Sequence, residues 1–453
     1  MTKFDSIIIG AGQAGTPLVF SLAAKGESVA LIEKTEIGGT CLNVGCVPTK
    51  TYVASARRMW DIAHSEDVAI DFSGNFKADL SKIKARKDAL IAGKLGQVRG
   101  AMAKRKNITL IEGEASFVSD KVVKVNGEEL TAPKIFLNIG GRPRVPEIYK
   151  DVPYLTSTSI LNLTDVPDHL IVVGGSYIGL EFSQIFARFG SKVTILSREE
   201  RILNREDEAV SAEIQKFLEA DGIIIITNAK TIEPKAADNG VVITVNGSQT
   251  IKGSHVLVAV GRAVNSDKIG IENTGIKVNE RGVIETDDYG QTSVEGIFAL
   301  GDCNGKGAFT HTAFNDFQIV ENYLFGDKSR KISDRIPTYG LFIDPPLGRC
   351  GLTKEQAINS GKKVLEAHIN MKDIARAREK AETYGFMNVL IDADTNLILG
   401  ASVLGSGGDE IINSFITLMA AKKPYTVLRD TVILHPTISE LIPTMLGKLK
   451  PLN

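Results

Sequence analysis

Twice in this chain a short β-branched run breaks into glycines and passes into a helix. Ser6-Ile7-Ile8-Ile9 ends in Gly10-Ala11-Gly12-Gln13-Ala14-Gly15, a helical stretch follows from Thr16 to Lys25, and Ser28-Val29-Ala30-Leu31-Ile32 makes the next strand with Glu33 at its end. That order describes a βαβ unit with a pyrophosphate on the helix amino terminus and, about twenty residues past the first glycine, a carboxylate for a ribose hydroxyl. The pattern returns in His169-Leu170-Ile171-Val172-Val173, Gly174-Gly175-Ser176-Tyr177-Ile178-Gly179, a helix to about Phe189 and the strand Lys192 to Leu196. Ser176 takes the place of the middle glycine and is small enough to let phosphates approach. Two such units predict an α/β chain with two Rossmann-like domains, each holding its own dinucleotide.

Close behind the first unit comes Gly38-Gly39-Thr40-Cys41-Leu42-Asn43-Val44-Gly45-Cys46-Val47-Pro48-Thr49-Lys50. A disulfide across so short a loop constrains the unfolded chain less than a long-range one would, so stapling is a poor use for it. A pair that is reduced and reoxidised beside an electron-supplying cofactor is the better use. Zinc would need a second ligand pair nearby, which the neighbouring sequence lacks, so no metal site is expected. Two unrelated buried thiols are the other reading, against which stand the glycines before the pair and the Val-Pro after it.

The chain has 453 residues, enough for about three domains, and only four cysteines, which is not a secreted disulfide framework. A formal net charge of -1 gives no steer toward nucleic acid or an anionic membrane. Without a signal-like amino terminus or a membrane-length apolar run, a cytoplasmic protein is expected. Leu80 to Lys104 carries charges at helical spacing and predicts a solvated helix. Asn239-Gly240 and Asn246-Gly247 flank the apolar run Val241 to Val245 and predict hairpins. From about Pro337 the pattern becomes α+β without a nucleotide fingerprint, with strands at Val389 to Ile391 and Leu397 to Val403 and a helix from Asp409 to Ala421.

With both fingerprints, the cysteine segment and Gly296-Ile297-Phe298-Ala299-Leu300-Gly301-Asp302, the whole chain resembles a class I pyridine nucleotide-disulfide oxidoreductase, the family of dihydrolipoamide dehydrogenase, glutathione reductase and mercuric reductase. Pro48 to Ala56, Gly305 to Thr312 and Leu341 to Arg349 are most similar to the mercuric-reductase-like branch, which includes flavoproteins of reactive-chlorine resistance. The resemblance implies FAD binding in 1–150 and 264–336, NAD(P) binding in 151–263 and homodimerisation through 337–453. It places Gly10, Gly12, Gly15, Glu33, Gly39, Thr40, Ala115, Asp302, His311 and Thr312 at FAD, with His311 in a cap or hydrogen-bond role. It places Gly174, Tyr177, Gly179, Arg198 and Gly261 at the nicotinamide cofactor, with Tyr177 as the gate over its pocket. No cysteine follows Cys350, whereas mercuric reductases carry a second pair near the carboxyl terminus, so mercuric ion reduction is not expected. Cys303 and Cys350 are expected to be buried and inert.

By the same resemblance, Cys46 lies against the flavin and Cys41 faces the substrate. Lys50 pairs with Glu181, and His435 with Glu440 forms the acid-base dyad that completes the partner subunit's site. Ser197-Arg198 ends the second strand of the second unit, with Arg201 and Arg205 close behind; arginine suits a 2′-phosphate, so NADPH is expected, while Glu199 and Glu200 leave NADH open. The implied cycle runs from NAD(P)H through FAD to the Cys41-Cys46 disulfide and on to a small acceptor: a disulfide, quinone, oxidant or metal ion. Dihydrolipoamide dehydrogenase activity and a redox sensor with little turnover are the alternatives.

Overall fold

Ile7 and Ile8 are wholly buried, as they must be in a parallel strand covered on both faces. Their strand, Ser6–Ile9, lies at the centre of a five-stranded parallel sheet in the order Ile297–Ala299, Lys134–Leu137, Ser6–Ile9, Val29–Glu33, Ile108–Glu112. This computed structural model describes residues 1–452. Helix Gly15–Ala24 lays Leu18, Val19 and Leu22 against Ile8, Phe136 and Phe298. Burying each such side chain contributes about 1.5–3 kcal/mol. The turn into the helix demands glycine at Gly10, whose φ is +100° and whose Cβ, if present, would lie 2.3 Å from the Asn138 carbonyl oxygen.

The second fingerprint builds a four-stranded parallel sheet in the order Ile224–Ile226, Lys192–Leu196, His169–Val173, His255–Val258. Gly174 repeats the constraint of Gly10, with φ +123° and the Ala259 carbonyl 2.3 Å from an added Cβ. The predicted hairpins form an antiparallel sheet of Ile232–Ala237, Gly240–Val245 and Gln249–Gly253. Asn246 and Gly247 both adopt positive φ in the second turn, the conformation that Asn-Gly turns favour. The chain then crosses back along the two-stranded ribbon Gly141–Pro143 with Arg262–Val264 and adds Ile297–Ala299 to the edge of the first sheet.

The last quarter is an antiparallel sheet in the order Thr338–Leu341, Leu347–Gly351, Ile398–Leu404, Phe386–Asp392, Val364–Asn370, Lys450–Pro451. Helix Gly408–Ala420 covers it, burying Ile412, Phe415 and Leu418. Helix Cys46–Ala63 packs beside helix Tyr177–Arg188, with Tyr52 against Phe189, inside an apolar cluster that also takes Leu341 and Leu347 from the last sheet. Asp344 accepts from Arg57 at 2.9 Å and also pairs with Arg188, so a loop of the last sheet is tied to both helices. Helix Leu80–Ala103 is the solvated one expected, with only Leu80, Lys87 and Met102 buried. Among the described residues no helix is long and apolar enough to cross a membrane.

Candidate active site

A cleft of about 2590 Å³ runs between the carboxyl ends of both parallel sheets and the edge of the last one. It is lined by Gly10, Gly12, Glu33, Gly39, Thr40, Cys41, Cys46, Lys50, Ala115, Gly174, Tyr177, Glu181, Arg198, Gly261, Asp302 and His311. Gly15, Gly179 and Thr312 lie behind its wall. An added Cβ on Gly15 would meet the Gly10 carbonyl at 2.1 Å, and on Gly179 the Gly174 carbonyl at 2.0 Å, so these two permit the helices to close on their strands. The Thr312 hydroxyl donates to the Phe309 carbonyl and accepts from the Phe309 N–H, fixing the start of helix Thr310–Phe325.

The cleft fits a flavin dinucleotide at its first fingerprint. Ala14 offers helix Gly15–Ala24 no capping side chain and Asn138 takes the Gly15 N–H, so the positive end of the helix dipole faces the glycine turn where a phosphate would lie. The Gly12 Cβ position is 2.6 Å from Asn138 Oδ1, so a side chain there would intrude on the turn. Glu33 Oε2 accepts from the Ala11 N–H at 2.8 Å and braces the glycine loop from the strand end. Asp302 follows the strand Ile297–Ala299, and burial raises its carboxyl above the usual range, opposed by Arg262 at 3.6 Å.

Cys46 opens helix Cys46–Ala63 and Cys41 lies in the short preceding helix Gly39–Asn43, so the two thiols meet across a single turn. Cys41 donates to Cys46, which lowers Cys46 to about 6 and pushes Cys41 up. The Thr310 hydroxyl at 3.3 Å and the Lys50 charge lower Cys46 further, against the cost of desolvation. The reduced pair therefore favours a thiolate on Cys46 and a thiol on Cys41. One turn along the helix, Lys50 Nζ donates to both carboxylate oxygens of Glu181 at 2.9 and 2.8 Å and stands 4.4 Å from the Phe342 ring centroid. The Phe342 N–H also goes to Glu181 at 2.9 Å, so the buried carboxylate is doubly held.

His435 Nδ1 is 2.6 Å from Glu440 Oε2. The imidazole is 80% exposed and the carboxylate 16%, and neither lines the cleft of its own chain. Val432 and Leu434 beside it are 97% and 76% exposed. Arg198, exposed at the cleft wall, and Arg205 stay outside the protein's own hydrogen bonding, whereas Arg201 donates to the carbonyls of Asn204 and Glu206 at 3.1 Å each. Cys303 and Cys350 are fully buried, and burial pushes both thiols up to about 12.

Several cleft residues escape sequence reading. Asn138 Oδ1 accepts from the Gly15 N–H, and its amide donates to the Leu300 carbonyl, locking the glycine turn from a distant strand end. Thr310 stands next to His311, and that adjacency is the one signal that could have marked it. Tyr339 arrives from the last sheet and the buried Glu206 from a loop behind the cleft, and nothing local distinguishes them; Phe342 lies within the segment Leu341 to Arg349, where nothing marks its contact with Lys50.

The chain matches the pyridine nucleotide-disulphide oxidoreductase family over residues 4–316 and that family's dimerisation domain over 337–446. It is 35% identical to the probable pyridine nucleotide-disulfide oxidoreductase RclA of Escherichia coli (strain K12), across 99% of this chain and 100% of that one. It is 33% identical to the dihydrolipoyl dehydrogenase of Geobacillus stearothermophilus, across 96% and 94%. Among solved structures, the Cu(II) complex of the HOCl-induced flavoprotein disulfide reductase RclA from Escherichia coli superposes with a TM-score of 0.90 at 35% identity, covering 99% of both chains. The dimerisation domain supports a homodimer. This chain therefore belongs to the pyridine nucleotide-disulphide oxidoreductases, FAD-binding enzymes that draw electrons from NAD(P)H.

Proposed function

We propose that this enzyme carries electrons from NADPH through FAD to the Cys41-Cys46 pair and delivers them to a small acceptor that reaches Cys41. The observation that carries the reading is the asymmetry of the two thiols: Cys46 is lowered to about 6 while Cys41 is raised, in one cleft with the Lys50-Glu181 pair. Bound FAD supplies the hydride-accepting and two-electron-donating chemistry. Gly10 and Gly12 open room for its phosphates, and the positive end of helix Gly15–Ala24 attracts them. Lys50 holds a positive charge beside Cys46, and Glu181 keeps that charge in place. Cys46 carries the thiolate, and Cys41 attacks or releases the acceptor.

The second fingerprint takes NADPH, its 2′-phosphate on Arg198 with Arg205 near, and Tyr177 gates the nicotinamide pocket. The exposed dyad serves the other subunit: His435 holds the proton exchanged with the interchange thiol and Glu440 orients the ring. The exposure of Val432 and Leu434 around it supports a partner surface over this segment. An RclA structure is a Cu(II) complex, so Cu(II) joins disulfides and quinones as a candidate acceptor.

The test is steady-state NADPH oxidation by the FAD-loaded dimer with Cu(II), small disulfides, quinones and lipoamide. Turnover with at least one non-lipoamide acceptor, abolished in Cys41→Ser, is expected. Turnover with lipoamide alone would make the enzyme a dihydrolipoyl dehydrogenase.

A further inference from the structure

Behind the Tyr177 ring lies a buried carboxylate that the cycle above does not use. Glu206 sits in the loop before helix Glu208–Ala220, with its side chain fully buried. Its Oε1 accepts two phenol hydrogens, from Tyr177 at 2.9 Å and from Tyr339 at 2.6 Å. Its Oε2 makes no hydrogen bond and has Arg349 Nη1 at 3.4 Å. Tyr339 and Arg349 face each other across adjacent strands of the last sheet, in the register Tyr339↔Arg349. Arg349, 2% exposed, is also held by Asp207 at 2.7 Å. The two tyrosine rings meet edge to face at 5.8 Å.

Two neutral donors on one oxygen draw on the same negative charge, so each bond is weaker than it would be alone. Burial, with Glu206 beside them, raises both phenols, so each stays protonated and donating. A charge so deep is tolerated only while it is paired, and Tyr339 with Arg349 pairs it whether or not Tyr177 is present. Tyr177 is therefore the one partner that can leave.

We propose that Glu206 is a positioning residue of the NADPH half-reaction, a buried latch that holds the Tyr177 gate against the last sheet until the nicotinamide cofactor displaces it. The proposal rests on the reading of Tyr177 as the gate. Opening then costs a hydrogen bond to a charged acceptor, and the apparent affinity for NADPH is reduced by the fraction of molecules held closed.

Rapid-mixing measurement of flavin reduction against NADPH concentration, on FAD-loaded variants, separates the dissociation constant from the limiting rate. Glu206→Gln keeps the shape and weakens the latch; its dissociation constant is expected to fall about three- to tenfold, with a limiting rate within about twofold of wild type. Tyr339→Phe removes the competitor for Oε1 and is expected to move the constant the other way. A Glu206→Gln constant that is unchanged or higher overturns the proposal, as do two variants that shift in the same direction. If Glu206→Gln fails to retain FAD, Tyr339→Phe decides alone, and an unchanged or lower constant for it overturns the latch. Tyr177→Ala tests the underlying reading separately: unaltered binding and rate in that variant remove the gate itself.

Discussion

Lys50 and Glu181 meet through both carboxylate oxygens, at 2.9 and 2.8 Å, although one belongs to the helix that carries Cys46 and the other to the helix of the second fingerprint. The pair is lopsided: the lysine side chain is 32% exposed and the carboxylate 9%. Removing the lysine strands a buried charge, whereas removing the acid leaves a cation that still reaches water. Lys50→Met is therefore expected to lose about 1–3 kcal/mol of stability and Glu181→Gln clearly less, as read by denaturant unfolding of the FAD-loaded protein. Equal losses would mean that the pair is not what holds the two helices in register.

Thr310 stands 3.3 Å from Cys46 and acts on the charged form of that thiol. Donors to a thiolate lower its pKa, so the thiolate of the reduced enzyme is present above pH about 6 and is lost as pH falls through that value. Thr310→Ala removes one donor and is expected to raise the midpoint by about one unit. Titration of the reduced enzyme, followed by the long-wavelength thiolate-to-flavin band, measures it. A midpoint that stays put would leave Cys41 and Lys50 as the only effective influences.

Arg198 and Arg201 are separated by two residues and have opposite fates. Arg201 Nη2 is held by the carbonyls of Asn204 and Glu206, which fixes that guanidinium against its own loop, and Arg198 makes no such bond. Losing a charge-assisted phosphate contact costs about 1.5–3 kcal/mol, so Arg198→Ala is expected to lower kcat/KM for NADPH about ten- to a hundredfold and to leave NADH within about threefold. Arg201→Ala should instead affect both nucleotides alike. Steady-state kinetics with each nucleotide distinguishes these outcomes.

The His435-Glu440 dyad predicts a split between half-reactions. His435→Ala is expected to reduce its flavin normally with NADPH and to lose about a hundredfold or more in turnover with a disulfide, the usual scale for a positioned acid-base. Glu440→Gln should lose less, because the imidazole remains. Equal disulfide turnover by wild type and His435→Ala would point to an acceptor that needs no proton carrier.

Sequence reading groups residues that the structure brings together where the grouping is local in the chain. The glycine turns, the Cys41-Cys46 pair and the spaced His435 and Glu440 each lie within a few residues, and a backbone constraint such as that at Gly10 can be met by only one residue type. It groups Arg198, Arg201 and Arg205 as one cluster, because spacing cannot reveal that Arg201 Nη2 is held by carbonyls of its own loop. It does not see Asn138, Glu206, Tyr339 or Phe342, whose partners lie more than a hundred residues away or on another sheet. Those residues acquire meaning only when the last sheet packs onto the second fingerprint.

In the proposed cycle Cys41 and Cys46 form an electron store in series with the flavin. Anaerobic titration of the oxidised, FAD-loaded dimer with NADPH tests it most directly. Wild type is expected to take up twice the reducing equivalents of Cys46→Ser and to develop the long-wavelength thiolate band after the first half of them. Equal uptake by wild type and Cys46→Ser, with the same spectrum, would contradict the account.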